Sequence, residues 1–149
     1  MVQFRDKIEE FQGVNRVFSN FWLVPIMYEG MLYPSVEHAY QAAKTLDKKI
    51  RYMFTNVTPA QAKLMGKTMP IREDWEELKI PVMTELVLIK FTTDDYCRER
   101  LLKTKDMILV EGNRWGDTFW GVDLRTGKGQ NHLGKILMEV RSILSLTTQ

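Results

Sequence analysis

Cysteine is nearly missing from this chain. Cys97 is the only one, so no intrachain disulfide can form and a thiolate metal cluster would have to borrow ligands from elsewhere. Histidine is almost as scarce: His38 and His132 stand far apart, and neither completes a ligand pattern such as H-E-x-x-H, so no metal and no cofactor is expected. Neither sign of charge dominates. The 21 Lys and Arg against 19 Asp and Glu leave +2, too little to form an electrostatic footprint for nucleic acid by itself. No apolar run approaches the roughly 18 residues of a membrane span, and the opening Met1-Val-Gln-Phe-Arg-Asp-Lys7 lacks the apolar stretch of a secretory signal. These absences lead to the expectation of a reduced, cytoplasmic protein with no membrane partner.

What remains is enough for a core. The 149 residues are 44% hydrophobic, with four tryptophans, and apolar positions run from Phe4 to Leu146 without a linker, repeat or low-complexity tract. One domain over residues 1–149 is expected. Pro25-Ile-Met-Tyr-Glu-Gly-Met-Leu-Tyr-Pro34 reads as a hairpin turning at Glu29-Gly30. Ser35 then caps a helix predicted to reach Lys48, with Val36, Ala39, Tyr40, Ala43 and Leu46 on its core arc. Thr58, Pro59 and Gln61 mark a capping box for a second helix, which Gly66 is expected to end. Trp75, Leu78, Val82, Leu86 and Ile89 repeat at helical period, and Pro81 should kink or split that helix. Asp95 to Lys103 predicts a short helix and Met107 to Val110 a buried strand. Leu133, Ile136, Leu137, Val140, Ile143 and Leu144 predict an amphipathic last helix. Helix dominates and strands are few, which is an α+β pattern.

Three constellations could carry chemistry. Glu37, Gln41 and Lys44 lie at i, i+4 and i+7, so a carboxylate, an amide and an amine share one stripe. Glu37 in the first turn stands near the positive end of the helix dipole, which favours its ionised form. An ordinary solvated helix face explains the same spacing. In Glu111-Gly-Asn-Arg-Trp-Gly-Asp-Thr-Phe-Trp-Gly-Val-Asp123, two Trp-Gly pairs bracket Asp117. A base can stack on indole while an adjacent carboxylate accepts from a ribose hydroxyl or orients water, although tryptophans are as often core anchors. Arg125-Thr-Gly-Lys-Gly-Gln-Asn131 opens into the last helix. Free helix amides with Lys128 suit phosphate, and a plain glycine turn capped by Asn131 fits equally well.

In order and wording these segments resemble the NADAR family. The landmarks are Phe18-Ser-Asn-Phe21, Tyr33-Pro-Ser-Val-Glu-His-Ala-Tyr-Gln-Ala-Ala-Lys44, Gly66, Arg72-Glu-Asp-Trp75, Lys90-Phe91, Glu111, Asp117-Thr-Phe-Trp-Gly121, Gly127-Lys-Gly-Gln-Asn-His-Leu-Gly134 and Leu137-Met-Glu-Val-Arg141. The resemblance implies a compact helix-rich α+β fold and an N-glycosidase. Its substrates would be ribosylamino phosphate intermediates of riboflavin synthesis or ADP-ribosylated guanine, so the partner would be a ribosylated base or modified DNA or RNA. It places the family's site on Glu37, Lys44 and Asp117, with catalytic roles, and on Trp75 and Trp120, with Asn20 and Asn131 in support; Gln41, Gly121 and Lys128 of the three constellations complete the expected substrate contacts. The extra Trp115-Gly116 and the stretch Val122-Asp-Leu-Arg125 depart from some relatives. A non-catalytic reader of ADP-ribose or NAD is the alternative; it would keep the stacking tryptophans and have no need of Glu37 aligned with Lys44.

Overall fold

A computed structural model describes residues 6–147; Phe4, the first of the expected apolar positions, and the residues around it at the start of the chain lie outside the described residues. In chain order the elements are β1 (Lys7–Ile8), β2 (Ile26–Tyr28), β3 (Met31–Tyr33), α1 (Val36–Ala42), α2 (Lys48–Met53), α3 (Pro59–Thr68), α4 (Trp75–Thr93), α5 (Asp95–Lys103), β4 (Ile108–Leu109), β5 (Gly112–Asn113), β6 (Val122–Asp123) and α6 (His132–Thr147). Among the described residues helix dominates and the strands form only two-stranded sheets, the α+β pattern expected. Among the described residues no helix is long and apolar enough to cross a membrane. The chain forms two compact units, residues 20–93 and residues 6–19 with 94–147.

In the 20–93 unit, β2 and β3 pair antiparallel, Ile26 opposite Tyr33 and Tyr28 opposite Met31. Glu29 and Gly30 turn the hairpin at φ 47° and 83°, the left-handed pair that matches the twist of the strands. Period-two alternation then buries Ile26, Tyr28 and Tyr33 and turns Met27 and Leu32 outward. Arg51 of α2, itself buried, donates to Glu29 Oε1 at 2.9 Å and to the Thr45 carbonyl at 2.7 Å, tying helix to hairpin.

Helix α1 is shorter than its periodicity suggested. Ser35 caps it as expected, its Oγ accepting from the His38 amide, but the helix ends at Ala42. The Lys44 and Thr45 amides close on the Gln41 and Ala42 carbonyls, and Asp47 starts α2 afresh by accepting from the Lys49 and Ile50 amides. Leu46, expected in the core, falls in this break and is 68% exposed. Every residue of α1 is buried, so Glu37 and Gln41 do not form the solvated face that spacing alone allowed.

Two further expectations are corrected. The capping box of Thr58 and Gln61 and the leading Pro59 begin α3 as predicted, yet the helix continues through Gly66 to Thr68. Nor does Pro81 split α4, which is one 19-residue helix. Pro81 and Glu77 both face solvent, so the carbonyl that proline leaves without a donor lies on the outer side, where water can serve it. The opposite side buries Val82, Met83, Leu86, Val87 and Phe91.

In the other unit, β1 runs parallel to β4 and β5 parallel to β6. Asp94 caps α5 by accepting from the Cys97 amide at 2.9 Å, a good start for a helix of modest length. Helix α6 buries Leu133, Ile136, Leu137, Val140 and Leu144, as its stripe predicted, while Ile143 is 41% exposed at the edge of that stripe. Arg141 reaches from α6 to Thr104 Oγ1 and the Met107 carbonyl, each at 2.9 Å, and fixes the chain entering β4.

Candidate active site

The first group of candidate residues gathers on α1. Glu37 is 7% and Gln41 5% exposed, one helical turn apart, and Gln41 Nε2 donates to Glu37 Oε1 at 2.8 Å. The Glu37 amide is held by the Asn20 carbonyl at 3.1 Å, and Asn20 Nδ2 points at Met83 Sδ at 3.5 Å. A buried carboxylate is costly to keep, and one fixed from both main chain and side chain is oriented rather than mobile.

Lys44 lies one further turn along. Its Nζ stands 5.6 Å from the centre of the Tyr40 ring, and that ring packs on Trp75 at 5.2 Å. Trp75, at the first turn of α4, is only 4% exposed. Burial lowers the Lys44 pKa below the ordinary lysine range; the Glu37 carboxylate opposes this, and Lys67 and Lys79 add to it. An amine in such surroundings gives up its proton more readily than a surface lysine, the condition for attack on a carbonyl carbon. The main chain also anchors this point, since the Arg72 amide donates to the Lys44 carbonyl at 2.8 Å.

Asp117, Trp120, Gly121, Lys128 and Asn131 fall in the unit of residues 6–19 and 94–147. Asp117 Oδ1 accepts from the Phe119 amide at 3.0 Å and the Trp120 amide at 2.9 Å, so the carboxylate also builds the turn that carries Trp120. The Trp120 ring meets Phe119 edge-on at 4.8 Å, and the His132 ring lies 4.5 Å from Phe119. Gly121 is sterically required: a methyl group there would lie 2.0 Å from the Glu111 carbonyl.

The phosphate reading of the last helix is corrected. Its leading amides are not free, because Asn131, His132 and Leu133 donate to the carbonyls of Gly121, Phe119 and Trp120. The start of α6 therefore clamps the Asp117–Gly121 segment instead of presenting an anion site. Asn131, at φ 53°, spends its side chain on main chain, accepting from the Glu111 amide at 2.9 Å and donating to the Leu109 carbonyl at 2.9 Å. Lys128 stays exposed on a turn in which the Asp123 amide donates to the Lys128 carbonyl at 2.9 Å.

The model of the NADAR domain family matches residues 7–145. The chain belongs to the NADAR family. Similar proteins include N-glycosidase Npun_R5314 of Nostoc punctiforme, 42% identical over 140 residues that cover 87% of this chain and 88% of that protein. N-glycosidase YbiA of Escherichia coli is 40% identical over 132 residues, 87% of this chain and 81% of that one. The chloroplastic riboflavin biosynthesis protein PYRR of Zea mays is 36% identical over 123 residues, 74% of this chain but only 19% of that longer protein. The NMR structure of the E. coli protein YbiA superposes with a TM-score of 0.84 at 36% identity, covering 98% of this chain and 89% of that chain.

Within this NADAR chain, two residues near the candidates escaped sequence reasoning. Asn113 is 2% exposed and holds the Asp117 main chain at both its amide and its carbonyl. Gly66 packs its bare Cα against Gln41. No spacing rule singles out an asparagine in a loop; for Gly66 the signal was present, a glycine inside a helical run, but its reading as a helix end hid it.

Proposed function

We propose that this NADAR protein is an N-glycosidase, hydrolysing the bond between a ribose C1 and the nitrogen of a base, with residues 1–149 working as one cytoplasmic domain. The observation that carries the reading is the buried Glu37 carboxylate, oriented by Gln41, with the Lys44 amine seven residues on, its proton loosened by burial. Breaking a ribosyl C–N bond builds positive charge on the sugar. A fixed carboxylate stabilises that charge, or takes a proton from the attacking water. Lys44 supplies the nucleophile: when the C1–O4′ bond opens, the base N–H proton passes to O4′ and leaves a C1=N imine on the base. The neutral Lys44 amine adds to C1, its two protons pass to the base nitrogen as the C1–N bond breaks, and water then hydrolyses the Lys44 imine to an aldehyde and the free amine.

Asp117 is assigned to holding the ribose or to acid–base work, with Trp120 and Trp75 walling or stacking on the base. Asn20, Gln41, Gly121, Lys128 and Asn131 support or contact substrate. These roles rest on the family pattern and on the loop geometry around Asp117. The substrate is a ribosylaminopyrimidine phosphate of riboflavin synthesis or an ADP-ribosylated guanine in nucleic acid.

Offering both compounds to the purified protein and identifying the released base and sugar tests the reading. Release from one of them, reduced about 100-fold or more in Glu37→Gln with an unchanged circular dichroism spectrum, supports it. Binding of product without turnover of either compound would replace it with the non-catalytic reader.

A further inference from the structure

Gly66 is a glycine with no turn to make. It lies inside α3, its φ is not among the left-handed ones, and glycine is the poorest helix residue after proline. An isolated helical glycine calls for a close approach as its reason. That approach is Gln41. A methyl group at position 66 would lie 1.8 Å from Gln41 Oε1, 2.7 Å from its Cδ and 3.3 Å from its Cβ. Alanine there must push aside the amide end of Gln41 and press slightly on its Cβ. Ala62, one turn earlier on the same face, is fully buried as well.

Gln41 carries the second observation. Its Nε2 is spent on Glu37, and its Oε1 is buried with no hydrogen-bond partner among the described residues. A buried amide oxygen without a donor destabilises a fold, and a methionine would fill the same space without that penalty. So a poor helix former and an unsatisfied oxygen meet at one contact, and what that contact delivers is an N–H aimed at Glu37. Local costs that converge on a functional group mark positioning rather than packing.

We infer that Gly66 is a positioning residue for the N-glycosidase reaction: its bare Cα seats the Gln41 amide, and through that amide α3 holds the Glu37 carboxylate in its working orientation. This rests on Glu37 being catalytic, as proposed above. The chain of contact runs from α3 to α1 within the 20–93 unit, and no other element is required.

The test is a set of variants assayed on whichever of the two substrates the wild type turns over: Glu37→Gln, Gly66→Ala, Gln41→Ala, the Gly66→Ala/Gln41→Ala double, and Gly66→Ala combined with Glu37→Gln. Gly66→Ala and Gln41→Ala should each lower kcat roughly 10- to 100-fold, the scale of a misplaced catalytic group, with KM within about threefold. The double variant should be no slower than the slower single one, and should melt higher than Gln41→Ala, because the cleared space lets alanine improve the helix. In the Glu37→Gln background Gly66→Ala should cost nothing more. Wild-type kcat in Gly66→Ala, or losses that multiply in the double variant, would overturn the inference. If Gly66→Ala fails to fold, Gln41→Ala with Gly66 intact and the double variant still decide it. A fully active Glu37→Gln would sink the catalytic reading itself, a separate result.

Discussion

The side-chain amide of Asn113 clasps Asp117 from both sides, donating to the Asp117 carbonyl at 2.8 Å and accepting from the Asp117 amide at 3.0 Å. The same Nδ2 also lies 3.3 Å from the Val122 carbonyl. One buried amide thus joins β5, β6 and the turn that carries Asp117 and Trp120. Asn113→Asp keeps the shape and can still accept, but it cannot donate, and it brings a carboxylate against a carbonyl. We expect a stability loss of about 1–3 kcal/mol, the range for leaving a buried polar group without its partner. If the Asp117 turn serves catalysis, turnover should fall by more than the loss of folded protein explains. Urea unfolding and initial rates on the same preparations measure the two. An equally stable and equally active Asn113→Asp would remove the clasp from consideration.

Lys44 gives a chemical test. Burial lowers its pKa, with the Glu37 carboxylate acting in the other direction. Borohydride added during turnover should leave a stable sugar adduct on Lys44, located by mass mapping, and Lys44→Arg should form none. No adduct on the active wild type would leave Lys44 only the role of a fixed cation. The same shift has a sign in stability. Because the folded pKa is below the unfolded one, the cost of burying the charge is fully present below the folded pKa. It is relieved as pH rises through the folded pKa toward the ordinary lysine value near 10.4. Lys44→Met should accordingly be more stable than wild type below that folded pKa and should lack the alkaline gain.

How much of this was legible from the residues follows from which interactions are local. Caps are local, and Ser35, Thr58 with Gln61, and the Glu29-Gly30 turn were all assigned from neighbouring residues. The core stripe of α6 was equally plain. What periodicity could not show is that α1 is buried on every side, because the burying surfaces come from residues distant in sequence. Hence Glu37 and Gln41 fitted a ligand-facing stripe and a solvated face alike, and only the fold reveals a buried pair. The free amides expected at α6 failed for the same reason: their acceptors at Phe119, Trp120 and Gly121 belong to another segment. Gly66 was misread as a stop signal because a helix end and a close packing contact both call for glycine.

Pro81 offers a prediction about stability alone. It sits inside α4, exposed, with the rest of the helix continuous. Proline in a helix interior costs about 3 kcal/mol relative to alanine, from the missing amide and the clash with the preceding turn. Pro81→Ala restores a donor for the Glu77 carbonyl and touches none of the core residues on the opposite side. Denaturation by urea should show a gain of roughly 1–3 kcal/mol, the lower end if α4 relaxes around the proline. Activity should be unchanged. A destabilised Pro81→Ala would mean that the proline sets a bend on which the packing of α4 depends.

His38 supplies the acid limb of stability. It is completely buried, with Nε2 2.6 Å from the Val57 carbonyl and Nδ1 2.6 Å from Ser35 Oγ. A carbonyl can only accept, so Nε2 carries the proton and Nδ1 takes the Ser35 hydroxyl hydrogen; the ring is neutral and both its nitrogens are satisfied. Burial pulls its pKa below the ordinary histidine value, with the Val57 bond working the other way. Below an unfolded pKa near 6.5, the unfolded chain therefore takes up a proton that the folded protein resists. The contribution of His38 is complete above that pH and is lost as pH falls through the window beneath it. His38→Gln keeps a donor for Val57 and cannot titrate. Its stability at pH 7 should be lower than wild type by about 1–3 kcal/mol for imperfect pairing. Between about pH 7 and pH 5, however, wild type should lose stability faster than the variant, and the two curves should converge. Urea midpoints taken across that range decide it, and parallel curves would mean that the His38 site protonates without consequence for folding.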